Sequence, residues 1–157
     1  MSWENAIEFT LSYEGSRLTN DPNDLGGETK YGIAKTHYPD EDIPNMTLER
    51  AKMIYRRDFW EPILADSMPE KLAAAVFDAA VNQGQVTAVK MLQVMLDLTV
   101  DGQVGPKTLA ACQLTTDYHV HLYLLHRARR YMQTKDAGYW GWNWGSRLIK
   151  FQESFLK

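Results

Sequence analysis

The chain has 157 residues, of which 45% are hydrophobic and 24% are charged. This composition is typical of a soluble globular protein, so we expect a single domain over residues 1–157 with a substantial core. The net charge of −3 argues against a nucleic-acid binder, because phosphate binding needs a concentrated basic surface. The single cysteine excludes an internal disulfide framework.

A helix is predicted from Trp3 to Glu14. Ser2 is a good N-cap, and Trp3, Ile7 and Leu11 recur at steps of four, so they share one face. Glu14 continues that face and Gly15 ends the helix. The acidic side chain then lies beside apolar surface at the negative end of the helix dipole. Both conditions raise the pKa of a carboxyl group.

Turn-forming residues dominate positions 15–33, where a run of Asn, Asp and Pro is followed by Gly26-Gly27. Residues 29–33 favour a short strand, so at most one small β-hairpin is predicted here. The rest of the chain favours helices. Their predicted ranges are 47–60 capped by Thr47, 70–82, 86–97, a helix opening at Lys107, 117–133 capped by Asp117, and a last helix that follows a tryptophan-rich tail and ends at Phe155.

The carboxylates at 14–28 indicate glycoside hydrolysis, which needs one carboxylic acid to protonate the leaving oxygen and a second carboxylate. Glu14 is our candidate acid. Asp21, Asp24 and Glu28 are candidates for the second carboxylate, with Asp24 and Glu28 preferred because they flank the Gly-Gly turn. Thr29 is a candidate for positioning a water, and Asp21 is also a candidate substrate contact.

Two simpler interpretations of these residues stay open. Asp21 and Asp24 can serve only to form side-chain-to-backbone turns. They also offer oxygen ligands of the kind that calcium uses, although their spacing does not fit the twelve-residue calcium loop. We therefore predict no metal and no cofactor.

Aromatic and amide side chains are candidate sugar contacts, since rings stack on pyranoses and amides read acetamido groups. Tyr31, Trp60 and Asn82 are proposed for this role, with core packing as the alternative for Trp60. Sugar contact and core packing are likewise both open for Trp140, Trp142 and Trp144. The basic residues of the last third are interpreted as a solvated helix face.

Three motifs resemble the glycoside hydrolase family 108 muramidases. The first comprises Glu14-Gly15, the run 20–29 (NDPNDLGGET) and Tyr31-Gly32-Ile33. The second is the run 55–62 (YRRDFWEP). The third comprises 77–84 (FDAAVNQG) and 100–108 (VDGQVGPKT), similar to the C-terminal region of that family associated with peptidoglycan binding.

The predicted elements number six or seven helices, and the resemblance implies that their mainly α fold is lysozyme-like. We divide the single domain into residues 1–66 and a helical lobe over 67–157. The resemblance also implies Glu14 as catalytic acid and cleavage of the β-1,4 bond after N-acetylmuramic acid. We expect a monomeric phage or prophage endolysin whose partner is the peptidoglycan glycan strand. It would wait in the host cytoplasm and reach the periplasm through a holin lesion, with no stable membrane insertion. The alternatives are a non-catalytic wall-binding or secretion-accessory protein, and a lytic transglycosylase.

Overall fold

The fold is mainly α in the computed structural model, which describes residues 2–15, 17–20, 27–134 and 137–156, with the backbone alone at 2, 137, 139 and 140. These ranges contain seven α-helices and one two-stranded sheet, which confirms the predicted fold class. The helices are α1 (Ser2–Glu14), α2 (Leu48–Tyr55), α3 (Glu70–Gln83), α4 (Gln85–Met95), α5 (Pro106–Cys112), α6 (Asp117–Met132) and α7 (Ala137–Phe155). A π-helical segment, Arg56–Trp60, continues α2, and a 3-10 turn covers Ala65–Ser67.

The sheet is a tight antiparallel hairpin of β1 (Thr29–Lys30) and β2 (Ile33–Ala34), with Lys30 opposite Ile33. Tyr31 and Gly32 form its two-residue turn with φ of 53° and 74°. Positive φ at both central residues is the pattern of a type I′ turn, whose twist matches that of the paired strands. The prediction of one strand through 29–33 is therefore wrong, because Tyr31-Gly32 reverses the chain.

Helix α3 is the centre of the core, as its apolar residues on all sides predicted. Every residue from Leu72 to Ala80 is buried, and α3 packs against α1, α4 and α6. Near its middle the Phe77 ring meets Trp3 and Trp60, with centroid separations of 5.5 Å to each. This packing fixes α1, and therefore Glu14 at its end, against the middle of the molecule.

Two helix starts differ from the prediction. The N-cap of α6 is Thr116 rather than Asp117, because Thr116 and His119 cap each other's backbone. Helix α7 begins at Ala137 and contains the whole tryptophan-rich segment that was predicted to precede it. The glycines of that segment are tolerated because tertiary contacts outweigh their low helix propensity; Trp144, for example, stacks on Tyr131 of α6. In the described ranges, no helix is both long and apolar enough to span a bilayer.

Candidate active site

Glu14 is the last residue of α1. The chain leaves the helix through Gly15, which has a φ of 79° and so supplies the left-handed turn that a helix end commonly uses. The Glu14 side chain keeps only 24% of its surface exposed. The sequence-based prediction of a shielded carboxyl at a helix C-terminus is therefore confirmed by the geometry.

The β-hairpin closes one side of Glu14 through its turn. A Cβ at Gly32 would lie 2.9 Å from the Cβ of Glu14 and 2.5 Å from the Oη of Tyr55, so no side chain fits there. Tyr55 donates a hydrogen bond of 2.8 Å to the carbonyl of Tyr31, which fixes the turn on α2. The hairpin thus lies directly against the acid, and only glycine permits the approach.

Arg147 of α7 closes the other side. Its Nη1 and Nη2 atoms lie 3.2 and 3.3 Å from Oε1 of Glu14. The same guanidinium donates from Nε and Nη2 to Asp78 of α3, with the shortest contact at 2.7 Å. Arg147 therefore bridges two carboxylates, one of which is partly open to solvent and the other completely enclosed.

Asp78 is the charge around which this cluster is arranged, and it is 1% exposed. Its oxygens accept hydrogen bonds from Thr10, Arg127 and Arg147. Burial alone would raise the pKa of Asp78, but the two arginines outweigh it and hold that pKa below its usual range. Asp78 is thus an ionised structural counter-ion, as a buried charge must be paired and hydrogen-bonded.

The pKa of Glu14 is raised, and desolvation by the surrounding protein is the main cause. Arg147 opposes the rise through its charge and its hydrogen bonds, while the negative charge of Asp78 adds to it. Because Asp78 neutralises much of the positive charge of Arg147, the arginine orients Glu14 while the pKa of that carboxyl stays raised. A carboxyl group in this state can act as a general acid.

A polar chain continues from this cluster to α6 and α3. Arg127 donates from Nη2 to the hydroxyl of Tyr131 at 3.3 Å, and Tyr131 donates in turn to the side-chain oxygen of Asn82. The ring of Tyr131 stacks on Trp144 with a centroid separation of 4.7 Å. Asn82 is only partly buried, so this predicted sugar contact stands at the edge of the network that holds Asp78.

The remaining predicted site residues have different surroundings. Glu28 and Thr29 are half-buried at the start of the hairpin, where the Thr29 hydroxyl donates to the carbonyl of Gly27 at 3.2 Å. Tyr31 is half-buried in the turn itself. Asp21 and Asp24 lie outside the described residues, as does most of the segment considered as a calcium loop. Over the ranges that are described, no three His, Cys, Asp or Glu side chains are grouped as metal ligands.

Trp60 requires a correction. Its ring is 0% exposed, packs edge-on against Trp3 and Phe77, and donates from Nε1 to Asp66 at 2.8 Å. A ring with no exposed face cannot stack on a sugar. The prediction of a Trp60 substrate contact is therefore wrong, and its core alternative is the one that the structure shows.

Sequence reasoning missed the two arginines. Arg127 and Arg147 were included in a basic, solvated helix face, yet both are buried. A signal was present for Arg127, since it falls three and four residues from Leu124 and Tyr131 on the apolar side of α6. An arginine on the apolar side of a helix predicts a buried carboxylate partner.

Residues 7–84 match the family model described as glycosyl hydrolase 108. This segment, just under half of the chain, is similar to that family. The predicted resemblance is thereby confirmed for the segment that contains Glu14, the hairpin and Asp78. The match indicates a glycoside hydrolase with a glycan substrate.

The fold is similar to that of Brucella abortus SagA, with a TM-score of 0.85 and 27% sequence identity. The similarity covers 98% of this chain and 93% of that chain. No curated protein matches the sequence. Since the family match ends at residue 84, Arg127 and Arg147 come from outside it and complete the glycosyl hydrolase 108 segment from the other half of the chain.

Proposed function

We propose that this glycosyl hydrolase 108 protein is a muramidase, which cleaves the β-1,4 bond between N-acetylmuramic acid and N-acetylglucosamine in peptidoglycan. Glu14 is the general acid of this proposal. The observation that carries it is the enclosure of Glu14 between the hairpin turn and Arg147, in a setting that raises its pKa. Its position in the family-matched segment supports the choice of reaction.

In the proposed mechanism the protonated Glu14 gives its proton to the glycosidic oxygen as the bond to the anomeric carbon breaks. The Glu14 carboxylate that results is negative, and the guanidinium of Arg147 is already in hydrogen-bonding distance of it. A charge that is placed in advance, where negative charge develops, lowers the barrier without reorganisation. Arg147 thus stabilises the ionised Glu14 that remains after proton transfer more than the neutral acid that precedes it.

The second carboxylate is Asp24 or Glu28 in this proposal, and Thr29 orients the attacking water. Glu28 and Thr29 lie side by side where the hairpin begins, and the turn of this hairpin abuts Glu14. Tyr31 and Asn82 are the proposed sugar contacts, together with Asp21. The partial exposure of Tyr31 and Asn82 supports this assignment.

We further propose that the chain acts as a phage or prophage endolysin on a thin, Gram-negative type of wall. In this role it is a monomer, collects in the host cytoplasm, and reaches the periplasm when a holin opens the membrane. This part rests on the sequence resemblance to family 108 muramidases.

The test is mass spectrometry of the fragments released from purified peptidoglycan by the wild-type protein and by Glu14→Gln. A hydrolytic muramidase releases fragments with reducing-end muramic acid, and Glu14→Gln should release none while still sedimenting with the walls. The matched control is Glu8→Gln, an exposed glutamate on the same helix, which should behave as wild type.

Other products would contradict the proposal. Anhydro-muramic ends would identify a lytic transglycosylase, and peptide fragments an amidase or peptidase. Wall binding by the wild type without any release would identify a non-catalytic binding or accessory protein. Equal release by wild type and Glu14→Gln would remove Glu14 from the mechanism.

A further inference from the structure

Charge is divided unequally along this chain. Residues 118–157 contain seven Lys and Arg but two Asp and Glu, whereas residues 1–117 contain ten and eighteen. The C-terminal segment is therefore strongly positive on an otherwise negative protein. Arg127 and Arg147 use their charges inside the molecule, but Arg129, Arg130 and Lys150 are exposed.

The same helices expose an unusual amount of apolar surface. On α6, the exposed residues Tyr118, Leu125 and Met132 recur every seven residues, and on α7 Trp142 and Ile149 have the same spacing. A seven-residue step returns to nearly the same side of a helix, so each helix has a continuous apolar ridge. Trp142 is 86% exposed and Met132 is 80% exposed. Exposing this much apolar side chain to water is energetically unfavourable.

Two shallow depressions join the ridges into one surface. One, of about 260 Å³, is bordered by Trp142, Ile149 and Lys150, and the other, of about 170 Å³, is bordered by Met132. They share Gly141 and Gly145, and a Cβ placed on either glycine would meet open space. The two glycines therefore form a low apolar floor between Met132 and Trp142.

Cations border this apolar surface. Arg129 lies four residues after Leu125 and three before Met132, which places it beside the α6 ridge. Lys150 lines the depression next to Trp142 together with the acidic Glu153. We name the surface formed by Leu125, Met132, Trp142 and Ile149, with Arg129 and Lys150 at its border, the α6–α7 face.

We propose that the α6–α7 face docks on the surface of an anionic phospholipid bilayer. Exposed apolar side chains next to basic ones are the combination that binds the interface between headgroups and acyl chains, and tryptophan is well suited to that depth. Lipid phosphates complement the positive charge of residues 118–157, at a strength that falls with salt. A second copy of the chain fits less well, because two such faces would bring like charges together.

The proposal describes attachment to the surface and is independent of the muramidase assignment. It agrees with the finding that, over the described ranges, no helix is long and apolar enough to span a bilayer. Docking would hold α6 and α7 on the lipid through side chains that take no part in the Glu14 cluster. The face and the proposed catalytic residues can therefore be altered separately.

The experiment is co-sedimentation with vesicles of phosphatidylcholine alone or with one-third phosphatidylglycerol. The wild type should sediment with the anionic vesicles, less with neutral ones, and less in high salt. Trp142→Ser and Met132→Ser should each weaken binding by about tenfold, since each removes a side chain expected to enter the interface. The matched control is Met53→Ser, an exposed methionine on α2 in the acidic part of the chain, which should bind as wild type.

A charge variant separates the two contributions. Arg129→Glu with Lys150→Glu should abolish the preference for anionic vesicles while its circular dichroism and melting temperature stay close to those of wild type. Failure of the wild type to sediment with any vesicle would overturn the proposal, as would equal binding by Trp142→Ser, Met132→Ser and Met53→Ser. A dimer in sedimentation velocity that Trp142→Ser dissociates, without vesicle binding, would assign the face to a second copy instead.

Discussion

Asp78→Asn is the most informative perturbation of the buried charge cluster. The Asp78 carboxylate lies between Arg127 and Arg147 and also accepts from Thr10. The substitution keeps the shape but leaves Arg127 in the interior without its carboxylate partner and Arg147 with Glu14 alone. Breaking a buried pair in this way costs about 3–5 kcal/mol, against a typical domain stability of about 5–15 kcal/mol. We therefore expect a folded variant with a clearly lower free energy of unfolding.

The same substitution should change the protonation of Glu14. The negative charge of Asp78 helps to raise the pKa of Glu14, and Arg147 lowers it. Asp78→Asn should therefore lower the pKa of Glu14, and Arg147→Met should raise it. Since a general acid works only while protonated, activity is lost as pH rises through this pKa. The alkaline limb of the pH–rate profile should move to lower pH in Asp78→Asn and to higher pH in Arg147→Met.

The measurements are urea unfolding and the initial rate of wall-fragment release across pH 5–9. The matched control is Asp117→Asn, because the Asp117–Lys71 pair is short but exposed and should contribute less than about 1 kcal/mol. Its pH profile should be that of wild type. The electrostatic account would be refuted if the alkaline limbs of the pH–rate profiles of Asp78→Asn and Arg147→Met moved in the same direction, or did not move. If Asp78→Asn lowers the free energy of unfolding by no more than Asp117→Asn does, the structural role of Asp78 is refuted.

Three further outcomes follow from single positions. Glu14→Gln should be more stable than wild type in urea unfolding, by a margin that grows as pH rises above the unfolded pKa of about 4.3. The reason is that the raised pKa of Glu14 means that its ionised form destabilises the fold. A variant that is less stable than wild type at neutral pH would contradict this. Gly32→Ala should lose activity and melt lower than Gly27→Ala. Both place a side chain at positive φ, of 74° and 65°, costing about 1–2 kcal/mol, but only position 32 meets Tyr55 and Glu14. Equal melting temperatures would argue against the tight approach. Cys112 is buried and its thiol pKa is raised to about 11, so a thiol reagent at pH 8 should label it only in denaturant; rapid labelling of the native protein would show that it is accessible.

Local sequence patterns predicted the elements well, because helices depend on short-range periodicity and capping. Thr47 caps α2 as expected, with its side chain accepting from the backbone of Arg50. The hairpin turn was missed since Tyr31 occupies a position with positive φ that only glycine, asparagine or aspartate normally signals. Helix α7 was predicted too short because its glycines resemble a loop until the packing of Trp144 is known.

Local sequence patterns could not predict the buried charge cluster. Glu14 could be located because its burial follows from the face of one helix. Its partner Arg147 is 133 residues away in sequence, and no local rule connects the two. The surroundings of Trp60 were equally unpredictable. Its position in the sequence does not tell whether its ring faces a ligand or packs against Trp3 and Phe77 in the core.

The distance in sequence between Glu14 and Arg147 also has a consequence for synthesis. A ribosome completes the family-matched segment, residues 7–84, long before it makes α7. Until that last helix docks, Glu14 has no counter-ion and Asp78 lacks one of its two guanidinium partners. A chain without α7 is thus unable to hold Glu14 in the setting that the proposed mechanism requires, so the proposed activity should appear only once α7 has been made and has docked.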